Sequence, residues 1–187
     1  YQGNFYSCVF SGNRAAEGGG YYGSSGGLYS CSVLGNSASS RYGGTYSGTV
    51  RNSIVYGNEA PTNSNWDSST MTYSCADPKP GGTGNTNVNP MVSGYRAPHL
   101  LLESPLIGKG LVEAWMTGAA DLDGQPRGSG GATDMGADQV YGDALLGALS
   151  VSILSATNLC AVGWPHDFRA ECTGLPGGLV WDFGDGS

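Results

Sequence analysis

Apolar positions along residues 1–75 fall in short strand-like runs, each closed by small or polar residues. Tyr6-Ser7-Cys8-Val9-Phe10-Ser11-Gly12-Asn13, Tyr29-Ser30-Cys31-Ser32-Val33-Leu34-Gly35-Asn36 and Asn52-Ser53-Ile54-Val55-Tyr56-Gly57-Asn58 are three versions of one phrase. The asparagines recur after 23 and then 22 residues. Ala15 and Ala38 follow the first two, and then come the pairs Gly19-Gly20 and Gly43-Gly44. Tyr73-Ser74-Cys75 is a fourth phrase without the Gly-Asn ending. A fixed period in this range signals a repeat architecture. The unit is too short for a propeller blade and leaves no room for a helix. It fits one turn of a parallel β-helix, with strands expected over 5–10, 28–34, 50–56 and 71–75, parallel and in register, and with Cys8, Cys31 and Ser53 stacked.

This arrangement assigns Asn13, Asn36 and Asn58 to the scaffold. Asn tolerates the left-handed region, which suits a tight corner, and equivalent Asn residues about 4.8 Å apart on successive coils can hydrogen-bond as an amide ladder. Cys8 and Cys31 occupy equivalent positions. Their expected Cα separation of about 4.8 Å suits a disulfide, but parallel side chains hold the Cβ atoms slightly beyond the preferred ~3.8 Å. A buried thiol stack is therefore expected, with a bond as the alternative. Cys75 is placed two coils from Cys31, with Ser53 between.

Composition agrees. The chain has 33 glycines against 8 basic and 15 acidic residues, and each Gly inside a helix costs about 1 kcal/mol relative to Ala. Abundant Ser, Thr, Asn and Tyr point to strands and turns. The formal charge of −7 argues against a nucleic-acid partner, which needs a basic face. No apolar run approaches the ~20 residues that span a bilayer. The start, Tyr1-Gln2-Gly3-Asn4, has no Met, basic region or apolar core and reads as a mature or cut chain. Cys8, Cys31, Cys75, Cys160 and Cys172 form no CxxC pair, and neither His99 nor His166 lies near a cysteine pair, so a zinc site is not expected. Few charges and scattered cysteines suggest an extracellular or surface protein.

Candidate chemistry is sparse. In residues 1–75 the acids are Glu17, Glu59 and Asp67 and the bases Arg14, Arg41 and Arg51, and they form no acid ladder; Arg14 and Glu17 read as a solvated pair near a corner. No catalytic residues are assigned. Asp121-Leu122-Asp123-Gly124 imitates the opening of a calcium loop, which makes Asp121 and Asp123 the metal candidates and calcium the candidate ion. The later bidentate Glu is missing, and a structural turn is the preferred reading. No cofactor is otherwise implied. His99, before Leu100-Leu101-Leu102, is expected at the solvent edge of a strand. Tyr21, Tyr22, Tyr29, Tyr42, Tyr46 and Tyr56 would either stack as ladders or present a binding face.

The order Gly84-Asn85-Thr86-Asn87-Val88-Asn89-Pro90-Met91, Ser104-Pro105-Leu106-Ile107-Gly108-Lys109-Gly110, Asp121-Leu122-Asp123-Gly124-Gln125-Pro126-Arg127 and Asp134-Met135-Gly136-Ala137 resembles the end of bacterial secreted right-handed parallel β-helix proteins of the choice-of-anchor Q type. The resemblance covers about residues 1–140, with departures at Asn89, Met91, Lys109 and Asp138-Gln139. Leu179-Val180-Trp181-Asp182-Phe183-Gly184-Asp185-Gly186-Ser187 resembles the signature of the PKD domain, a β-sandwich, in which Trp181, Asp182 and Asp185 would hold a turn. Together these imply an all-β chain: β-helix coils over 1–93, a closing segment over 94–142 and a partial PKD-like sandwich over 143–187. A Cys160–Cys172 disulfide would staple the last part, which has little core of its own.

The function expected from this reading is non-enzymatic: a secreted or cell-surface structural or adhesive module, with neighbouring subunits or surface proteins as partners and an extracellular filament as one form of assembly. The rival is a polysaccharide-binding or lyase-type β-helix. Because the end of a β-helix exposes strand edges, residues 1–13 are expected to be covered in the native particle.

Overall fold

A computed structural model describes residues 2–96, 98–140, 150–155 and 168–173. The chain divides into Tyr1–Val140 and Tyr141–Ser187. The first unit is an all-β parallel solenoid of about three turns.

The first two coils each carry four short strands, and later coils fill fewer of the same positions. The first position is filled by β1 (Gln2–Tyr6), β5 (Ser25–Tyr29), β9 (Thr49–Arg51) and β12 (Thr70–Thr72), paired in parallel in that order. The second is filled by β2 (Val9–Ser11), β6 (Ser32–Leu34), β10 (Ile54–Tyr56) and β13 (Cys75–Ala76). The third holds β3 (Arg14–Glu17) and β7 (Ser37–Arg41), continued by a Ser37–Glu59 bridge. The fourth holds β4 (Tyr21–Tyr22), β8 (Thr45–Tyr46) and β11 (Trp66–Asp67).

The repeated phrase is thus two strands rather than one. Ser7, Ser30, Asn52 and Tyr73 break it at φ between 48° and 50°, which turns the chain sharply. The Gly-Asn corner also differs from expectation. Gly12, Gly35 and Gly57 take the left-handed conformation, at φ 67°, 61° and 62°. A glycine does so without steric cost, and this frees each Asn to turn its amide inward. The Gly-Gly pairs are sites of close approach between coils. A Cβ on Gly19 would lie 2.6 Å from the carbonyls of Ser37 and Gly43.

The solenoid interior packs Phe5, Phe10, Tyr21, Leu28, Val33, Val50, Val55, Trp66 and Met71. Tyr21, grouped in the sequence with the tyrosines of a ladder or binding face, is instead fully buried there. A second cluster, of Leu34, Ile54, Cys75, Leu100, Leu106 and Met135, forms on the outer face of the second sheet, where the segment after residue 94 lies against it. That sheet is therefore buried on both faces, which explains its continuous apolar runs. It also corrects the placement of Cys75. Cys75 is in register with Ile54 and belongs to the outer cluster, so it is not in the column of Cys8 and Cys31. Alternate residues of a strand face opposite ways, and a one-residue shift of register moves a side chain across the sheet.

In the second unit β14 (Ser150–Ser155) pairs antiparallel with β15 (Phe168–Thr173), with Cys172 opposite Val151. Cys160, Trp181, Asp182 and Asp185 lie outside the described residues, and with them the Cys160–Cys172 pairing and the PKD-like turn.

Candidate functional site

Two side-chain columns run along the stack. In the first, Asn13 donates its backbone N–H and Nδ2 to Asn36 Oδ1, both at 3.0 Å. Asn36 makes the same pair of bonds to Asn58 Oδ1 at 2.9 Å. Asn58 repeats it to Asn65 at 3.0 and 3.1 Å. The three predicted residues are brought together, and a fourth, Asn65, joins them without repeating the phrase. Register supplies the reason. Tyr21, Thr45 and Trp66 are partners on successive coils, so Asn65 stands where Gly20 and Gly44 precede them and reaches the ladder from the fourth strand.

In the second column Cys31 N donates to Ser53 Oγ at 3.0 Å, Ser53 N to Ser74 Oγ at 3.1 Å, and Ser74 N to Asn85 Oδ1 at 2.9 Å. Each thiol or hydroxyl also donates to the carbonyl two residues earlier: Cys8 to Tyr6, Cys31 to Tyr29, Ser53 to Arg51 and Ser74 to Thr72. Cys8 and Cys31 are both free thiols. The neighbouring Cys31 side chain is the main reason that Cys8 is held down to about 6, while burial pushes Cys31 well up. Burial also pushes Cys75 up to about 12.

On the outer faces Glu17 pairs across coils with Arg41 at 3.0 Å, and Arg14 donates to Ser37 Oγ. The expected Arg14–Glu17 pair is therefore replaced by contacts between equivalent positions on neighbouring coils. Tyr42 stacks on Tyr46 with centroids 4.2 Å apart, Tyr46 meets Tyr22 at 4.7 Å, and Arg41 lies 5.0 Å above the Tyr42 ring. Tyr6 packs between Tyr29 and Trp115.

The closing segment is held by buried polar groups from the aspartate motifs. Asp121 Oδ1 accepts the N–H groups of Asp123 and Gln125, and its Oδ2 accepts that of Gln139. Asp134 accepts from Gly108 and Val140. Arg127 donates to Ser7 Oγ and to the Gly136 carbonyl. The two metal candidates thus part company. Asp121 is consumed by its turn, whereas Asp123 turns to His99, with Oδ2 2.9 Å from Nε2. His99 is not at a strand edge: Leu100 forms an isolated bridge to Val92, and the ring is partly buried. Asp138, which in the sequence stands only as a departure from the family pattern, joins this pair. Its Oδ2 accepts the Leu100 N–H at 2.8 Å, and burial pushes its carboxyl up. One ligand atom from each of His99, Asp123 and Asp138 lies within 4.8 Å of the others. The three come from separate loops, and no spacing in the sequence announces them.

Among the described residues no helix is long and apolar enough to cross a membrane. No protein family, curated protein or solved structure matches the chain.

Proposed function

We propose that the chain is a non-enzymatic structural or adhesive module of a secreted or cell-surface protein, a right-handed β-helix followed by a PKD-like sandwich, which stacks within an extracellular assembly. The supporting observation is the face of the first coil. β1, β2 and β4 are each the terminal strand of their sheet, and all belong to that coil. Beside them lies a groove of about 570 Å³ lined by Phe5, Phe10, Asn13, Arg14, Glu17 and Tyr22 among others. Strand edges of this kind are templates for further pairing. Asn13 stands at the end of the amide ladder, where a donor from one more coil would extend it. The partner that fits is another parallel coil, from a neighbouring subunit or from the same protein.

Sedimentation across a concentration series tests this reading. The wild type is expected to self-associate, and a charge at an exposed position of β3, which also belongs to the first coil and ends its sheet, Ala16→Lys, is expected to give monomers with an unchanged melting temperature. A wild type that stays monomeric throughout overturns it.

A second reading, polysaccharide binding, draws on the Tyr22–Tyr46–Tyr42 cluster with Arg41 above it. Aromatic faces with a polar rim suit sugar rings. Affinity electrophoresis in gels cast with acidic and neutral polysaccharides, with Tyr22→Ala as control, decides it: mobility that is unaffected by every gel removes this reading.

A further inference from the structure

We propose that His99, Asp123 and Asp138 form a binding site for a divalent transition-metal ion of the zinc or manganese class. The cation would clip together three loops of the closing segment.

The donors suit such an ion. One imidazole nitrogen and two carboxylate oxygens converge within 4.8 Å of one another. Zinc–nitrogen and zinc–oxygen bonds are about 2.0–2.2 Å, so tetrahedral ligands sit about 3.4 Å from each other. The His99–Asp123 approach of 2.9 Å already lies near that spacing, so binding requires a small adjustment of side chains and no rearrangement of backbone. Asp138 uses one hydrogen bond, from Leu100, of the roughly four lone-pair directions a carboxylate offers. It is 5% exposed and anchored, whereas His99 and Asp123 are 23% and 34% exposed at their side chains, which leaves a route from solvent. Calcium fits less well, because it takes six to eight oxygens and no imidazole.

Charge points the same way. The carboxylates of Asp121, Asp123, Asp134 and Asp138 lie in this part of the closing segment. Facing them are the Arg127 guanidinium, bonded to Ser7 and Gly136, and the His99 ring. Asp121 and Asp134 are compensated by backbone N–H groups. Asp123 and Asp138 instead converge with the same imidazole, one ligand atom of each within 4.8 Å of the others. An ordinary surface ion pair needs one carboxylate. A second one, buried and aimed at the same ring, is what a dication would neutralise. The ring would bind metal through the Nε2 lone pair as neutral imidazole, with its proton on Nδ1.

The test is calorimetric titration of the chelator-stripped 187-residue chain with zinc chloride, manganese chloride and calcium chloride. One equivalent of zinc or manganese is expected to bind and to raise the melting temperature. Asp123→Asn, at a half-exposed position, and His99→Gln are each expected to weaken binding at least tenfold. His166→Gln, at the other histidine, is expected to leave it unchanged. Saturable binding of neither metal, binding of calcium alone, or binding that survives both Asp123→Asn and His99→Gln overturns the proposal. Melting of each variant without metal separates loss of the site from loss of the fold.

Discussion

Asn58 and Asn65 are seven residues apart in the chain and adjacent in the amide ladder, where Asn65 Oδ1 accepts from both Nδ2 and the backbone N–H of Asn58. The ladder is a property of position in the stack, and its members differ in weight. Asn36 is 1% exposed and both accepts from Asn13 and donates to Phe10, Leu34 and Asn58. Each buried group stranded without a partner costs about 1–3 kcal/mol. Asn36→Ala is therefore expected to lower the unfolding free energy by about 3 kcal/mol or more, and the exposed Asn13→Ala by about 1 kcal/mol or less. Urea titration of the two variants checks the ranking.

Glycines divide by what surrounds them. A Cβ on Gly20 would lie 2.5 Å from Val33 Cγ1 and 2.8 Å from the Gly44 carbonyl, whereas one on Gly81 meets nothing within 4 Å. Gly20→Ala is expected to destabilise by about 1–3 kcal/mol through overpacking, and Gly81→Ala to stay within about 0.5 kcal/mol of wild type. Equal melting temperatures for the two would contradict the tight stacking of coils.

The thiols should separate in reactivity. The thiolate is the nucleophile, and Cys8 is half-buried with its titration held down to about 6. At neutral pH, iodoacetamide is expected to label Cys8 first, with the rate levelling off above about pH 6–7, because the thiolate fraction saturates one unit above the pKa. Cys75, pushed up to about 12, should stay unlabelled until the protein unfolds. Peptide mass spectrometry over a time course reads this out, and Cys75 reacting alongside Cys8 would refute it.

Acid should act through the closing segment. Burial raises Asp134 above its ordinary 3.8. In the window upward from there, the folded state holds more proton than the unfolded chain, so the Asp134 contribution to stability is present in acid and lost as pH rises. Asp134→Asn removes that slope. Unfolding curves at pH values stepped upward from 3.8 are expected to show the wild type losing stability relative to the variant as pH increases. The opposite trend would mean that the hydrogen bonds from Gly108 and Val140 outweigh desolvation.

The 22–23-residue spacing exposed the coils, and the Asn column with them, because identical side chains at a fixed period leave a direct mark in sequence. The corners were harder to read. Asn52 and Tyr73 are unlike Ser7 and Ser30 yet adopt the same backbone, so a left-handed break inside the phrase had no single residue type to mark it. Cys75 was misplaced by one position because Ser53-Ile54 and Ser74-Cys75 align equally well on spacing, and only register decides which side chain faces inward. Asp138 was invisible for a different reason. Its partners His99 and Asp123 are 39 and 15 residues away, brought close by irregular loops that carry no period.

The closing segment changes how the stack bears load. In a plain solenoid each coil holds only its neighbours, so force along the axis peels coils one by one. Here a single span grips the first coil through Arg127 and Ser7, the second through Ala137 and Ser32, and the third through Leu111, Gly136 and Asn52. Lifting the first coil strains a strap that is also anchored on the third. Residues 2–140 would therefore yield to pulling as one mechanical unit, with a single rupture where a ratchet of small ones would otherwise appear.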